Sequence, residues 1–203
     1  MPERKDTQKI VRLVLMALLS AIMIIMSTTP LGYLNIGLLA ITLNVIPLGI
    51  AAISLGPVGG AVMGAIFGLT SFLQCIGVGG VSAMGAILFE INPVLAFIQR
   101  FVPRVLVGLI IGIVHKLLVK KLGNKIPCFI TGFLAAFLNT VLFMSALILL
   151  FGKTDYVQEL IAGRNIIVFI CAFVGINAVF EMIASTLITG AVGTALYKAK
   201  AIK

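Results

Sequence analysis

The chain has 203 residues, of which 61% are hydrophobic and only 10% charged, and its mean hydropathy is +1.24. A typical soluble domain carries roughly 45–50% apolar and about 25% charged residues, so too few polar side chains exist here to cover a globule in water. That excludes a water-soluble enzyme, and it equally excludes a disordered chain, which is poor in apolar residues.

The net charge of +9 comes from 15 Lys+Arg against 6 Asp+Glu. Most of the cations are clustered. Arg4, Lys5, Lys9 and Arg12 open the chain, Lys116, Lys120, Lys121 and Lys125 sit mid-chain, and Lys198, Lys200 and Lys203 end it. Basic clusters separated by long apolar runs read as cytoplasmic loops. No basic face has interleaved aromatics, so a nucleic-acid partner is not indicated.

A bilayer core about 30 Å thick needs roughly 20 apolar helical residues. Six segments qualify. The first covers about 10–28 and stops at Thr28-Thr29-Pro30-Leu31-Gly32. It follows basic residues as a signal peptide would, but no small-residue cleavage site comes after it, so it reads as a retained helix. The second covers about 36–55 with Pro47 inside, and Gly56-Pro57 breaks it from the third, about 58–75. A Gly-rich stretch from Ile76 to Pro93 is expected to form a short re-entrant or surface segment. The fourth span is about 94–118, the fifth about 126–151, and the sixth about 164–197 after a polar loop with Lys153, Asp155 and Glu159. The expected architecture is an all-α membrane protein, a single domain over 1–203 built as a bundle of six transmembrane helices. An even number of passes puts both termini on one side, and the basic clusters make that side the cytoplasm.

Gly60, Gly64 and Gly68 fall on one face of the third span, and Ala17 and Ala21 on one face of the first. Such small-residue faces let another helix backbone approach closely. Cys75, Cys128 and Cys171 are widely spaced and odd in number. They suggest neither a zinc site nor a disulfide framework, but small apolar packing.

Ionisable groups at membrane depth are costly, and each asks for a partner or a function. Arg100 and Arg104 on the fourth span emerge from one helix face at i, i+4 spacing, as do Asn177 and Glu181 on the sixth. Counting from the outer ends, Arg104, Asn139 and Asn177 reach a similar depth, roughly 15–20 Å in. An Arg104–Glu181 ion pair would satisfy two charges with no ligand, but it leaves Arg100, Asn139 and Asn177 unexplained. A surplus arginine beside amides suits an anion bearing hydroxyl or amide groups, because guanidinium clamps carboxylate bidentately. Pro103 also frees a backbone carbonyl near this level. The expected substrate-binding set is Arg100, Arg104, Asn139, Asn177 and Glu181, with Asn44, Tyr33, Gln74 and Asn92 added from the outer half.

Catalytic motifs are missing: no G-x-S-x-G elbow, no H-E-x-x-H and no P-loop. Ser71, Ser82 and Ser185 have no base within a plausible turn, and His115, among lysines, reads as an interfacial side chain. No metal site or cofactor is expected in this chain, and any ATPase must sit on another. A periodic acidic relay of the kind that proton-coupled carriers use is missing too.

Several segments carry a family likeness: Ala17-Leu18-Leu19-Ser20-Ala21, Thr42-Leu43-Asn44-Val45-Ile46-Pro47, Leu55-Gly56-Pro57-Val58-Gly59-Gly60 and Pro103-Arg104-Val105-Leu106-Val107-Gly108. Over nearly its whole length the chain resembles the substrate-binding (S) components of energy-coupling factor (ECF) vitamin transporters, and most of all the pantothenate-type members. The resemblance implies a six-helix bundle in the bacterial cell membrane that binds a vitamin from outside. It further implies docking onto a transmembrane coupling (T) protein with two ATPase subunits, which use the ATP, through Ala17 and Ala21. The first outer loop with Tyr33 and the Gly-rich loop would then act as lids. Flat heteroaromatic vitamins are gripped by stacking; with no Trp and only Tyr33, Tyr156 and Tyr197, an acyclic carboxylate such as pantothenate fits better. The alternative is a stand-alone secondary carrier or small channel for an organic anion.

Overall fold

Apolar runs this long cannot leave backbone polar groups exposed to hydrocarbon, and helices satisfy those groups internally. A computed structural model describes residues 2–29, 33–36, 39–199 and 202, and the side chains of all of these except 2–8, 33–36, 39–41, 167, 171–173 and 176. The order is α1 (Pro2–Thr28), β1 (Tyr33–Ile36), β2 (Leu39–Thr42), α2 (Val45–Leu73), a 3-10 turn (Gln74–Ile76), α3 (Ala83–Ile91), α4 (Pro93–Leu122), α5 (Lys125–Phe151), α6 (Asp155–Ile161) and α7 (Ile166–Lys198). Among the described residues, five stretches are long and apolar enough to cross a membrane: Lys9–Thr28, Val45–Ile76, Pro93–Leu122, Lys125–Phe151 and Asn177–Lys198.

The first, fourth and fifth of the expected spans coincide closely with α1, α4 and α5. The second does not. Its first part is an antiparallel ribbon with Tyr33 opposite Thr42 and Ile36 opposite Leu39, and helix starts only at Val45. A short apolar run cannot be assigned to helix or strand by periodicity alone, which is why composition misjudged it. The Gly-rich stretch holds a true helix, α3, capped by the Ser82 hydroxyl accepting from the Gly85 N–H at 3.2 Å. The sixth span is interrupted: Gly175 leaves helical geometry at φ 28°, ψ −122°.

Gly56 and Pro57 do more than kink α2. Gly56 adopts φ 76°, a left-handed value that glycine reaches without a Cβ penalty. The chain then reverses. Ser27 Oγ accepts from Asn44 Nδ2 at 3.1 Å and donates to Thr70 Oγ1 at 3.1 Å, so residues 44 and 70 meet on one hydroxyl. A continuous helix would hold them about 39 Å apart. The arms 45–55 and 57–73 therefore form a helical hairpin.

The returning arm packs on α4 through the expected glycine face. A Cβ on Gly60 would collide with the Gly108 carbonyl, one on Gly64 with the Arg104 carbonyl, and one on Gly68 would stand 2.8 Å from Phe101 Cα. Backbone meets backbone along this seam, and the depth and rotation of α4 are set by it. On the other side of the hairpin, α1 buries Leu19, Met23 and Ser27, while Ala17 and Ala21 face outward.

One end of the bundle gathers the Gly56–Pro57 turn, which touches Gly112, together with Leu15, Ile53, Cys128 and Tyr197. Exposed Lys116, Lys120, Lys121, Lys125 and Lys198 lie at or beside this end. His115 is buried there, a correction to its expected interfacial place. Its Nδ1 lies 2.9 Å from Thr131 Oγ1 and its Nε2 3.1 Å from the Tyr197 hydroxyl, tying α4, α5 and α7 together. Thr131 donates to the Pro127 carbonyl at 2.7 Å, so its oxygen accepts from Nδ1 and the imidazole is the Nδ1–H tautomer. Cys75 and Cys128 are buried free thiols packed as small apolar groups. The side chain of Cys171 lies outside the described residues.

The seam leaves no room for a larger residue. Gly60→Val is expected to destabilise the folded protein by about 3 kcal/mol or more, the upper range for overpacking. Its melting temperature in detergent should fall well below wild type, while Val62→Leu, on an exposed face (42% exposed), leaves it unchanged.

Candidate functional site

The site is built around two arginines one turn apart on α4. Arg100 is 6% exposed and Arg104 3%. Arg100 Nη1 donates to Ser71 Oγ at 3.4 Å and Nη2 donates to Ser82 Oγ at 3.1 Å. The N-cap of α3 therefore also anchors a guanidinium. Arg104 Nη1 donates to the Arg100 carbonyl at 2.7 Å. Both guanidinium carbons sit over the Phe143 ring, at 5.2 and 5.1 Å from its centroid, and Arg104 also covers the Phe67 ring at 4.6 Å. Desolvated cation–ring contacts of this kind are attractive.

Glu181 on α7 is 6% exposed and lies within electrostatic reach of Arg104. Its Oε1 accepts from the Thr42 N–H, fastening β2 to α7. Among the described residues Glu181 is the one buried carboxylate, against two buried guanidinium groups. The cluster keeps a formal positive charge.

Asn139 stands one turn before Phe143 on α5, 7% exposed, with Oδ1 lacking a hydrogen-bond partner among the described residues. Gly132 packs on Ser185 and Phe129 on Gly190, while His115 meets Thr131 and Arg104 meets Phe143, so α5 runs antiparallel to both α7 and α4. By that register Asn139 falls level with Asn177 and within a turn of Arg104. Asn177 is half-buried, just beyond the Gly175 break.

Other expected residues lie elsewhere. Asn44 (0% exposed) and Gln74 (7%) belong to a separate polar cluster on Ser27, where Gln74 Nε2 donates to the Ser27 carbonyl at 2.8 Å. Their side chains brace the C-terminal end of α1 against the hairpin. Asn92 is the N-cap of α4, accepting from the Val94 and Leu95 N–H groups at 3.1 Å each. Its oxygen is committed to the helix end, where the orphan donors need it. The side chain of Tyr33 lies outside the described residues.

Sequence reasoning missed Ser71, Ser82, Phe67, Phe143 and Gln99. Gln99 is fully buried beside Arg100, and neither amide atom finds a partner among the described residues. A signal existed, since a glutamine inside an apolar helix incurs the same cost as the asparagines that were singled out. The rings carried no such signal, because a phenylalanine that faces an arginine reads like any other core residue.

This arrangement can bind an anion. It offers no nucleophile with a base: Ser71 and Ser82 are arginine acceptors, and Ser185 donates to the Gly132 carbonyl at 2.8 Å. A family model described as "ECF transporter, substrate-specific component" matches residues 11–193. Comparison with curated proteins finds no match.

Phe143 is shared by both guanidinium groups, so its ring should matter more than its volume. Phe143→Leu is expected to cost about 1–3 kcal/mol, combining lost ring contacts with the packing change. Phe143→Tyr should stay close to wild type. Thermal melts of the ligand-free proteins check this; equal melting of all three would mean that the ring acts only as filler.

Proposed function

Because the chain belongs to the family of substrate-specific components of ECF transporters, we propose that it is the membrane-embedded subunit that captures a small carboxylate vitamin, such as pantothenate, from outside the cell. A member of this family is a multi-pass membrane protein and a transport subunit, not an enzyme. The observation that carries the anion reading is that two guanidinium groups, Arg100 and Arg104, are buried, with Glu181 near Arg104 as the one buried carboxylate among the described residues. Buried ions pair in bundles, and a carboxylate guest would complete the pairing.

The rings in the site support an acyclic guest over a flat aromatic one. Phe67 is 0% exposed, and the ring faces it shares with Phe143 are covered by guanidinium. A stacking vitamin would have to displace an arginine. Hydroxyl and amide groups on the guest suit Asn139 Oδ1, which has no hydrogen-bond partner among the described residues.

In this reading the chain makes six passes with both termini in the cytoplasm of a bacterial cell. The reversal at Gly56 supports the even count, and the gathering of basic residues near one end supports the orientation. The second pass is unusual. Its helical arm, residues 45–55, rises only about 16 Å, roughly half the hydrocarbon thickness. Strand β2 supplies the rest, packed on α7, and non-helical backbone at this depth is tolerated when buried in protein.

The ATP would be used by two ATPase subunits held by a transmembrane coupling protein, and this chain would need no cofactor of its own. Exposed Ala17 and Ala21 on α1, whose apolar window is only 17% buried, support that face as the docking surface. Small residues there would let a partner helix approach closely.

Two outcomes follow. Arg104→Ala should lose vitamin binding by about 2–5 kcal/mol while still folding; wild-type affinity by isothermal titration calorimetry in that variant would sink the site assignment. Replacing Ala17 and Ala21 together by Leu should leave binding intact and abolish ATP-driven uptake in proteoliposomes holding the complete complex. Uptake by the isolated chain in response to an ion gradient would instead identify a stand-alone carrier.

A further inference from the structure

Gln99 concentrates three polar atoms for which the fold supplies no ordinary partner. Its side chain is 0% exposed, and neither Nε2 nor Oε1 has a hydrogen-bond partner among the described residues. Its main-chain carbonyl would, in an uninterrupted helix, accept from the N–H of residue 103. That residue is Pro103, which has none. Beside it, Arg100 Nε also lacks a partner among the described residues.

Buried amides in a finished core are hydrogen-bonded, and one left unmet is a net cost. Selection for stability alone would place a leucine or methionine here. Ala96, three residues earlier on the same face, belongs to an apolar cluster with Met84 and Leu88 of α3 and Met144 and Leu147 of α5. The unmet set comprises donors (Gln99 Nε2, Arg100 Nε) and acceptors (Gln99 Oε1 and carbonyl). It shares Arg100 with the cationic pair.

We infer that Gln99 is the specificity-determining residue for the uncharged part of the ligand, reading an amide or hydroxyl group that carries both a donor and an acceptor. This rests on the proposal that the chain is a vitamin-capturing subunit. The arginines take the carboxylate, which any organic acid possesses. Gln99 then separates acids with a polar body from hydrocarbon acids, because a hydrocarbon leaves the amide and the freed carbonyl unmet. A site built to hydrogen-bond a ligand rejects analogues lacking the group far more strongly than a greasy pocket rejects an added one.

The test is Gln99→Met in the full-length chain, an apolar replacement of similar volume. Pantothenate and hexanoate serve as probes, and melting of the ligand-free protein as an independent readout. The expected results are pantothenate affinity weakened about tenfold or more, a smaller preference for pantothenate over hexanoate, and a ligand-free melting temperature equal to or above wild type. Unchanged pantothenate affinity would overturn the assignment. So would a lower ligand-free melting temperature, which would mean that the amide serves the fold. If the wild-type protein binds no pantothenate, the vitamin named above falls, and mass spectrometry of compounds retained by wild-type and variant protein decides Gln99. Loss of the retained compound on substitution supports the role, and equal retention overturns it.

Discussion

Two guanidinium groups buried in an apolar bundle are the constraint to which the rest of this structure answers. Taking an ion out of water costs several kcal/mol even after local relaxation. Arg100 and Arg104 meet that cost with hydroxyls from Ser71 and Ser82, a backbone carbonyl, the faces of Phe67 and Phe143, and the nearby Glu181 carboxylate. These partners come from α2, α3, α5 and α7, so the two side chains act as a hub that five helices share. None of the neutral partners cancels charge, and one carboxylate does not balance two cations. The remainder is a formal positive charge.

Holding the hub in place requires α4 to be located accurately, and glycine does this. Along the seam of Gly60, Gly64 and Gly68 against Gly108, Arg104 and Phe101, the backbones of α2 and α4 touch directly. Side chains at that interface would introduce rotamer freedom and push α4 outward. Membrane helices gain little from apolar burial against each other, since lipid is as apolar as leucine, so close backbone packing is the available source of adhesion. The same residue, Arg104, contributes its carbonyl to the seam and its guanidinium to the site. The helix seam and the cationic cluster are coupled through it.

Polar clusters at the two ends brace this middle layer. At the basic end, His115 joins Thr131 and Tyr197, linking α4, α5 and α7. At the opposite end, Ser27 collects Asn44, Thr70 and Gln74, fixing α1 to both arms of the hairpin. The ring nitrogens of His115 are both bonded, whereas Asn44 Oδ1 at the opposite end, like the Gln99 amide atoms and Asn139 Oδ1, has no hydrogen-bond partner among the described residues.

Much of this was legible in the residues alone. Runs of apolar residues of membrane-crossing length dictate helices, and the cost of burying charge singles out Arg100, Arg104 and Glu181 without any coordinates. Spacing of four residues put the arginines on one face, and the glycine repeat marked a contact surface. Tertiary structure alone decided what each of these meets. Gly56-Pro57 announced a break, but only the shared contact on Ser27 reveals that the chain doubles back. The run before Val45 was apolar enough for either helix or strand, and its pairing partner chose strand. Asn44, Gln74 and Asn92 were as polar as Asn139, yet they went to a hydroxyl, a carbonyl and a helix end. The reason is physical: the penalty for burying a group belongs to the residue and can be read locally, whereas its compensation depends on rotation and register between helices far apart in sequence.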